Sequence, residues 1–393
     1  MTEQGPPAAP GGTPTGRSPW ALAFRRAKSK NAMTSASHTQ FIDASAPVRS
    51  GEQLDAAKLN DWLTANVPDA SGPLTIEQFP QGFSNLTYFL KLGDQELVLR
   101  RPPIGNAVRS AHDMGREYHV LEKLSRVYDL APRPLAYCDD ETLLGGPFYV
   151  MERRRGVILR KKLPDGFNIA PETFRRLGES LIENLARLHA IDYEAAGLGE
   201  LGRPAGFIER QVAGWTKRYH QAQTDDFPDV VRTAEWVAAN MPAESGATLI
   251  HNDYKYDNLV LDPTDLTRIT AVLDWEMCTL GDPLLDLGVS LSYWVQADDD
   301  EVLRYFIPGP TNLPGNLTRH ELIDRYTAIT GRDTSNMLFY YAFGMFKLAV
   351  IIQQIYVRYA KGYTRDPRFS GLNHVVEGLG RAGMNAIEKG RVP

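Results

Sequence analysis

The sequence predicts an α+β protein, a small β-rich N-terminal lobe set over a larger helical C-terminal lobe. Three observations predict it. Short runs of β-forming residues, bounded by Gly, Pro, Asn and Asp, crowd residues 74–152. From Pro171 onward apolar residues recur instead at helical spacing. The length, 393 residues, exceeds what one compact core usually holds and favours two lobes.

Composition narrows the class. The chain is 43% apolar and 23% charged, the balance of a soluble globular protein. Its net charge of −5 offers no general attraction for nucleic acid, so no nucleic-acid partner is expected. The two cysteines, Cys138 and Cys278, have no metal-ligand spacing; a disulfide framework is not expected and a cytoplasmic location is the default. No membrane association is expected either. The most apolar segment, Met337 to Tyr359, is interrupted by Lys347, Gln353, Gln354 and Arg358 and reads as a buried core helix.

In chain order, residues 1–50 are rich in Pro, Gly, Ser, Thr and Ala without apolar periodicity, which predicts a disordered tail. Arg17, Arg25, Arg26, Lys28 and Lys30 around Trp20–Phe24 faintly resemble an organelle-targeting peptide, but the stretch is short and the apolar run too weak for a secretory signal, and Met33 offers an alternative start of translation. Residues 51–152 form the expected N-terminal lobe. Leu54, Leu59, Trp62 and Leu63 suggest a short helix, and Leu74–Phe79, Leu86–Leu92 and Glu96–Arg100 read as strands. Between the first two lies Gln81-Gly82-Phe83-Ser84-Asn85: Gly82 permits close backbone approach, and Ser84 and Asn85 offer donors to phosphate oxygens. Taken alone, that loop is ordinary turn chemistry. Ser110–Asp113 looks like a helix start, followed by Met114, Tyr118, Leu121 and Leu124 on one face; Glu117 on this helix is the candidate partner of Arg100. Two further strands, 132–138 and 147–152, complete a sheet of five.

Residues 153–393 form the expected C-terminal lobe. A basic run follows the last strand: Arg153, Arg154, Arg155, Arg160, Lys161 and Lys162. Such a run is ordinarily a solvated face; the alternative is a polyanionic acceptor. Pro171 opens a helix with the stripe Phe174, Leu177, Leu181, Leu185 and Leu188, ending near His189, a packed or capping histidine. Helices are expected around 207–221 and 230–239, with Trp215, Lys217 and Tyr219 as acceptor-site candidates, although Trp215 suits core packing. Another helix begins at Asp282-Pro283, and three more fill 318–389.

The chemistry concentrates in His251-Asn252-Asp253-Tyr254-Lys255-Tyr256-Asp257-Asn258, reached from the apolar run Thr248–Ile250 and followed by β-type runs at 259–261 and 269–273 that lead to Asp274. This pattern places Asp253, Asn258 and Asp274 at the ends of neighbouring strands. A single Asp-Asn loop would be only a turn; the joint pattern points to phosphoryl transfer. That reaction needs Mg²⁺ held against phosphates and one carboxylate to accept the proton of the attacking hydroxyl. Asn258 and Asp274 suit the metal, Asp253 the base, and Lys255 the neutralisation of the transferring group. His251 is structural, and Asp286 braces the loop rather than touching substrate.

The spacing His-x-Asp-x-x-x-x-Asn followed by Asp274 resembles the catalytic loop and metal-binding Asp of protein kinases. More closely, the run resembles the aminoglycoside phosphotransferase and choline kinase superfamily. Leu273–Glu276 with Thr279–Leu287 is similar to the branch related to the kinase-like domain of acyl-CoA dehydrogenase fusion proteins. The resemblance covers the chain from about residue 50 to its end. It implies a protein-kinase-like two-lobe fold, ATP as phosphoryl donor with Mg²⁺, the loop with Gly82, Ser84 and Asn85 over the nucleotide, and Met151 and Glu152 at a hinge meeting the adenine edge. Arg100 then stands where kinases carry a lysine; Arg forks well onto phosphate or carboxylate, so the role survives. The implied acceptor is a small-molecule hydroxyl, first a hydroxyacyl-CoA and second an aminoglycoside, choline-like molecule or sugar, for which Asp298, Asp299, Asp300 and Glu301 would be the acidic cluster. A nucleotide-binding pseudoenzyme is the reading from another class.

Overall fold

The computed structural model describes residues 38–80, 85–103, 113–307, 309–364 and 367–393. Residues 38–50 depart from the expected tail by lying along the protein. The His38 N–H donates to the Pro263 carbonyl at 2.8 Å, the Asp43 N–H to the Gly156 carbonyl at 2.9 Å, and Ala46 bridges Gln78. Phe41 anchors this segment, its ring centroid 4.5 Å from that of Phe167. One aromatic contact outweighs a composition that promised no packing.

Helix α1 (Ala56–Asn66) is capped by Asp55, which accepts from the Lys58 N–H, and buries Leu59 and Leu63. Strands β1 (Leu74–Gln78), β2 (Leu86–Leu92) and β3 (Gln95–Arg101) form an antiparallel meander. Helix α2 (Met114–Leu124) follows, capped by Asp113, then β4 (Pro134–Cys138), the short α3 (Glu141–Leu144) that the sequence did not suggest, and β5 (Phe148–Glu152). The sheet order is β1-β2-β3-β5-β4. Alternation divides its faces. Tyr88, Leu90, Leu97, Leu99, Phe148 and Val150 pack with α1. Val98, Tyr149 and Met151 face the other way, into a core continuous with α2 and the helical lobe.

Past the sheet come α4 (Pro171–His189), whose predicted stripe is buried, α5 (Phe207–Ala222) and α6 (Pro228–Ala239). Strands β6 (Thr248–Ile250), β7 (Leu259–Asp262), β8 (Asp265–Val272) and β9 (Thr279–Gly281) carry the chemistry-bearing loops. β7 and β8 form the expected hairpin. β6 is not their neighbour in a sheet; it pairs antiparallel with β9, a strand the sequence left inside a loop. Three-residue strands show too little alternation to be read.

Five helices finish the chain: α7 (Pro283–Tyr293), α8 (Glu301–Phe306), α9 (Arg319–Thr330), α10 (Met337–Ala360) and α11 (Leu372–Lys389). By length and composition α10 is apolar enough to cross a membrane, but Phe339–Val350 is buried inside the protein. It crosses α7 backbone to backbone. A Cβ added at Gly288 would stand 2.4 Å from the Tyr340 carbonyl oxygen, and one at Gly344 would stand 2.6 Å from that of Gly288. Only glycines admit that approach. The crossing brings Asp286 of α7 and Lys347 of α10 to the same loop, 251–258.

Candidate active site

The loop is assembled before its central carboxylate is placed. Asp286 accepts from the backbone N–H groups of His251 (2.8 Å) and Asn252 (2.7 Å), and from His189 Nε2 at 3.1 Å. Burial opposes its charge, yet the His189 hydrogen bond and the facing backbone donors hold its carboxyl below the usual aspartate range. His251 Nδ1 accepts from the Asp253 N–H at 3.3 Å while Nε2 meets the Leu273 carbonyl at 3.0 Å, which defines a neutral ring carrying its proton on Nε2. Asn252 occupies the left-handed region at φ +66° and donates through Nδ2 to the Met277 carbonyl at 3.0 Å. His189, His251 and Asp286 are thus scaffold, as their sequence context suggested.

On this scaffold, both oxygens of Asp253 receive the Lys255 ammonium, at 2.8 and 2.6 Å. Asn258 Nδ2 donates to Asp253 Oδ2 at 2.9 Å and to its carbonyl at 2.8 Å. The Tyr293 ring of α7 lies 4.5 Å from the Lys255 ammonium, and burial together with the nearby Asp253 charge raises its hydroxyl. Burial works against the Lys255 charge; Asp253 outweighs it and holds the ammonium firmly protonated. Lys255 is the cation expected to neutralise the transferring group. The structure pairs it with Asp253, two residues away.

The second half of the site joins the sheet to the loop after β8. Register sets Arg100 of β3 opposite Tyr149 of β5 and Thr87 of β2. Its guanidinium, on a residue 7% exposed, forks: Nη1 bonds Glu117 of α2, and Nη2 bonds Asp274 Oδ1 at 3.0 Å. Burial disfavours the Arg100 charge, but Glu117 and then Tyr149, Asp274 and Glu276 outweigh it. Glu117 is 1% exposed, and burial pushes its carboxyl up against the pull of Arg100. The packing around Asp274 likewise opposes ionisation, yet Arg100 and Lys255 hold its carboxyl below the usual range. Asp274 itself sits at φ +67°. The expected Arg100–Glu117 pair is therefore present, and it extends to Asp274.

Other expected residues fall as follows. Gly82 and Ser84 lie outside the described residues. Asn85 Nδ2 donates to Glu276 Oε2 at 2.7 Å, tying β2 to the segment after Asp274. Arg116 of α2 binds the same segment through the Glu276 carbonyl at 2.9 Å and the Cys278 carbonyl. Met151 is buried in the core between sheet and helices. The Glu152 N–H donates to the Arg133 carbonyl at 3.0 Å and the Arg153 N–H to the Glu96 carbonyl at 3.3 Å, so neither of these donors is open to an adenine edge.

The basic run is mostly paired: Arg153 and Arg155 with Glu96, Arg154 with Glu152, and Arg160 with Asp43. Four of its six cations are thus held in ion pairs rather than standing as the freely solvated face expected of such a run. Sequence reasoning named Glu276 without giving it a role and missed Tyr293 and Lys347 as neighbours of Asp253. Lys347 alone carried a signal, a lone ammonium in an apolar helix.

Two oxygens of the site accept no hydrogen bond from the described residues, Asp274 Oδ2 and Asn258 Oδ1, the Asn258 nitrogen being spent on Asp253. The Leu273 N–H donates to the Asn258 carbonyl at 2.8 Å and links the two segments. One carboxylate and one amide oxygen suit Mg²⁺, which keeps waters and takes phosphate oxygens for its remaining positions. Among the described residues no group of three or more His, Cys, Asp or Glu side chains suits a metal by itself.

A sheet lobe linked by an Arg–Glu–Asp bridge to a helical lobe bearing an Asp–Lys–Asn loop is the architecture of a protein-kinase-like phosphotransferase. The chain belongs to the phosphotransferase enzyme family, which matches residues 75–320. It is 35% identical over 362 residues to acyl-CoA dehydrogenase family member 11 of Gallus gallus, covering 87% of this chain and 44% of that protein. A crystal structure from Ralstonia eutropha, provisionally described as an aminoglycoside phosphotransferase, is 30% identical, with a TM-score of 0.72 over 86% of this chain and 99% of its own. Choline kinase from Cryptosporidium parvum shares the fold at a TM-score of 0.61 with 11% identity, over 86% of this chain and 97% of its own. The chain spans less than half the length of the acyl-CoA dehydrogenase family relatives, 30% of one and 44% of another.

Proposed function

We propose that this protein is a small-molecule kinase that transfers the γ-phosphoryl group of ATP to an acceptor hydroxyl. The carrying observation is the Asp253 carboxylate, oriented by Lys255 and Asn258, in a fold joined through Arg100 to Asp274. Asp253 accepts the proton of the acceptor hydroxyl as that oxygen bonds to the γ-phosphorus and the bond to ADP breaks. Lys255 stabilises negative charge at Asp253 and beside the transferring group. Arg100 holds Glu117 and Asp274 in register and meets donor phosphates. Mg²⁺, when bound by Asn258 and Asp274, would neutralise developing phosphate charge. Arg100 makes the contact to the α2 carboxylate expected of a catalytic lysine, which favours turnover over a pseudoenzyme.

Within this reading the acceptor is anionic, and a hydroxyacyl-CoA fits best. The relatives' acyl-CoA dehydrogenase names support it, and so does the charge near Asp253. Lys347 and Arg218 approach from α10 and α5, and Arg218 has no ion-pair partner among the described residues. The acidic cluster that a cationic antibiotic or choline would need is engaged elsewhere. Asp299 binds Arg319, and Asp300 caps α8 and binds Arg381.

The test is ATP consumption with Mg²⁺ across hydroxyacyl-CoAs, aminoglycosides, choline analogues and sugars, with product mass recorded. One added phosphate on a CoA thioester supports the full reading; phosphate on an aminoglycoside keeps the reaction and removes the anionic acceptor. Asp253→Asn should lower turnover about 10²- to 10⁴-fold with nucleotide affinity retained. Unchanged turnover in that variant would eliminate Asp253 as the base.

A further inference from the structure

Helix α10 is buried and apolar from Phe339 to Val350 with one charged interruption, Lys347, which is 2% exposed. An ammonium in such surroundings is costly without a carboxylate partner. None lies within ion-pair distance among the described residues. Instead Nζ donates to the backbone carbonyl of Asn252 at 2.9 Å and lies 5.6 Å over the Trp215 ring of α5. A methionine of similar length would fill the same volume without desolvating a charge, so packing does not explain the lysine.

Its hydrogen bond does. Asn252 precedes Asp253 and holds a left-handed conformation that a side chain adopts at some cost. The Asn252 N–H is taken by Asp286 and its Nδ2 by the Met277 carbonyl. Lys347 secures the remaining backbone group, the carbonyl, from the opposite side of the turn. We propose that Lys347 is a positioning residue for catalysis, which holds the Asn252 carbonyl and so aims Asp253 at the acceptor hydroxyl. Its catalytic consequence rests on the phosphotransferase reading above; the positioning of residues 251–258 does not.

Protonation couples to this role. The charged groups facing Lys347 are Asp253 and Lys255 from the loop, Asp286 from α7 and Arg218 from α5, while the buried residues of α6 and α11 are non-ionisable. Burial outweighs the carboxylates and lowers the ammonium to about 8. Above that pH the charge-assisted bond to Asn252 weakens.

The test compares wild type with Lys347→Met and with Lys347→Gln, which keeps a neutral N–H donor. Thermal melting, hydrogen exchange over residues 251–258 and steady-state kinetics are measured on the full chain. Lys347→Met is expected to melt no lower than wild type, yet exchange about tenfold faster at 251–258, with α11 unchanged. Its kcat should fall about tenfold to a hundredfold with KM for ATP within about threefold. Lys347→Gln should recover part of that loss, and the fall in wild-type kcat above pH 8 should be absent from the Met variant. Unchanged exchange at 251–258 would overturn the positioning, whether or not an acceptor is turned over. Faster exchange with wild-type kcat would overturn its catalytic consequence. Faster exchange in a chain whose wild type phosphorylates nothing would uphold the positioning and remove the kinase reading instead.

Discussion

Replacing Arg100 by methionine removes the cation shared by three carboxylates of the site, Glu117, Asp274 and, at 3.9 Å, Glu276. Glu117, at 1% exposure, would lose its only ion-pair partner among the described residues and keep the Trp275 N–H at 3.2 Å; Asp274, with a side chain 31% exposed, can recover hydration. The loss is therefore set mainly by Glu117. Breaking a buried pair from one side costs about 3–5 kcal/mol, because the remaining charge is stranded. Adding Glu117→Gln removes the stranded charge, so the double variant should stand about 2 kcal/mol or more above the sum of the single losses. The pH dependence has a definite sign. Burial already raises Glu117, and without Arg100 it rises further. A carboxyl raised in the folded state favours folding below its unfolded pKa and loses that advantage as pH rises through the folded value. The Arg100→Met penalty should thus be large at pH 8 and smaller at pH 5. Urea unfolding of wild type, both single variants and the double variant at the two pH values measures every term. Equal penalties at pH 5 and 8, or strict additivity in the double variant, would refute the picture of Glu117 as a charge held by Arg100.

Two further outcomes follow from the helices behind the loop. Asp286→Asn keeps one acceptor for the donors of His251, Asn252 and His189 but turns an amide N–H₂ toward them, at a cost of about 1–3 kcal/mol in urea unfolding. Because the Asp286 carboxyl is held below the usual aspartate range, its contribution is present above the unfolded pKa and is lost as pH falls through the folded value. The gap between wild type and variant should therefore narrow at low pH, and a constant gap would count against ionised Asp286 as the brace. Gly288→Ala would place a methyl group 2.4 Å from the Tyr340 carbonyl oxygen and force α10 away from α7, costing about 1–3 kcal/mol. Turnover should fall with it, since Asp286 and Lys347 reach the loop from this crossing; a fully active, equally stable variant would show that the crossing is not needed to set the site.

The sequence disclosed the site where its parts are local. His251, Asp253 and Asn258 share one loop, and Asp274 follows one hairpin later, so spacing brings them together without knowledge of the tertiary fold. Arg100 and Glu117 were legible for a different reason: the resemblance to kinases, which pair a cation on this strand with a glutamate on the following helix. Contacts arriving from distant helices were not legible. Tyr293 comes beside Lys255 from the last turn of α7, and Lys347 reaches Asn252 because Gly288 and Gly344 let two backbones touch. Pairing of β6 with β9 escaped notice because neither three-residue strand displays a period. The acidic run 298–301 takes its plainer reading, an exposed turn, in which Asp299 and Asp300 serve a cap, an arginine pair and a loop.

Both residues that introduce the chemistry, Asn252 before the proposed base and Asp274 at the proposed metal, are non-glycine residues in the left-handed region, at φ +66° and +67°. Such conformations persist only where surrounding contacts over-determine them. At Asn252 those contacts are Asp286, the Met277 carbonyl and Lys347; at Asp274 they are Arg100 and the Leu273 N–H bonded to Asn258. The two sets draw on different lobes, helices α7 and α10 on one side and strand β3 with α2 on the other. Asp253 is thus fixed by the helical lobe alone, whereas the direction of Asp274 depends on Arg100 of the sheet. Movement of the sheet would alter the reach of Asp274 and leave the base in place. On the proposed reading, nucleotide contacts made by the sheet would act through Arg100 on Asp274, while Asp253, the proposed base, is set in advance by the helices.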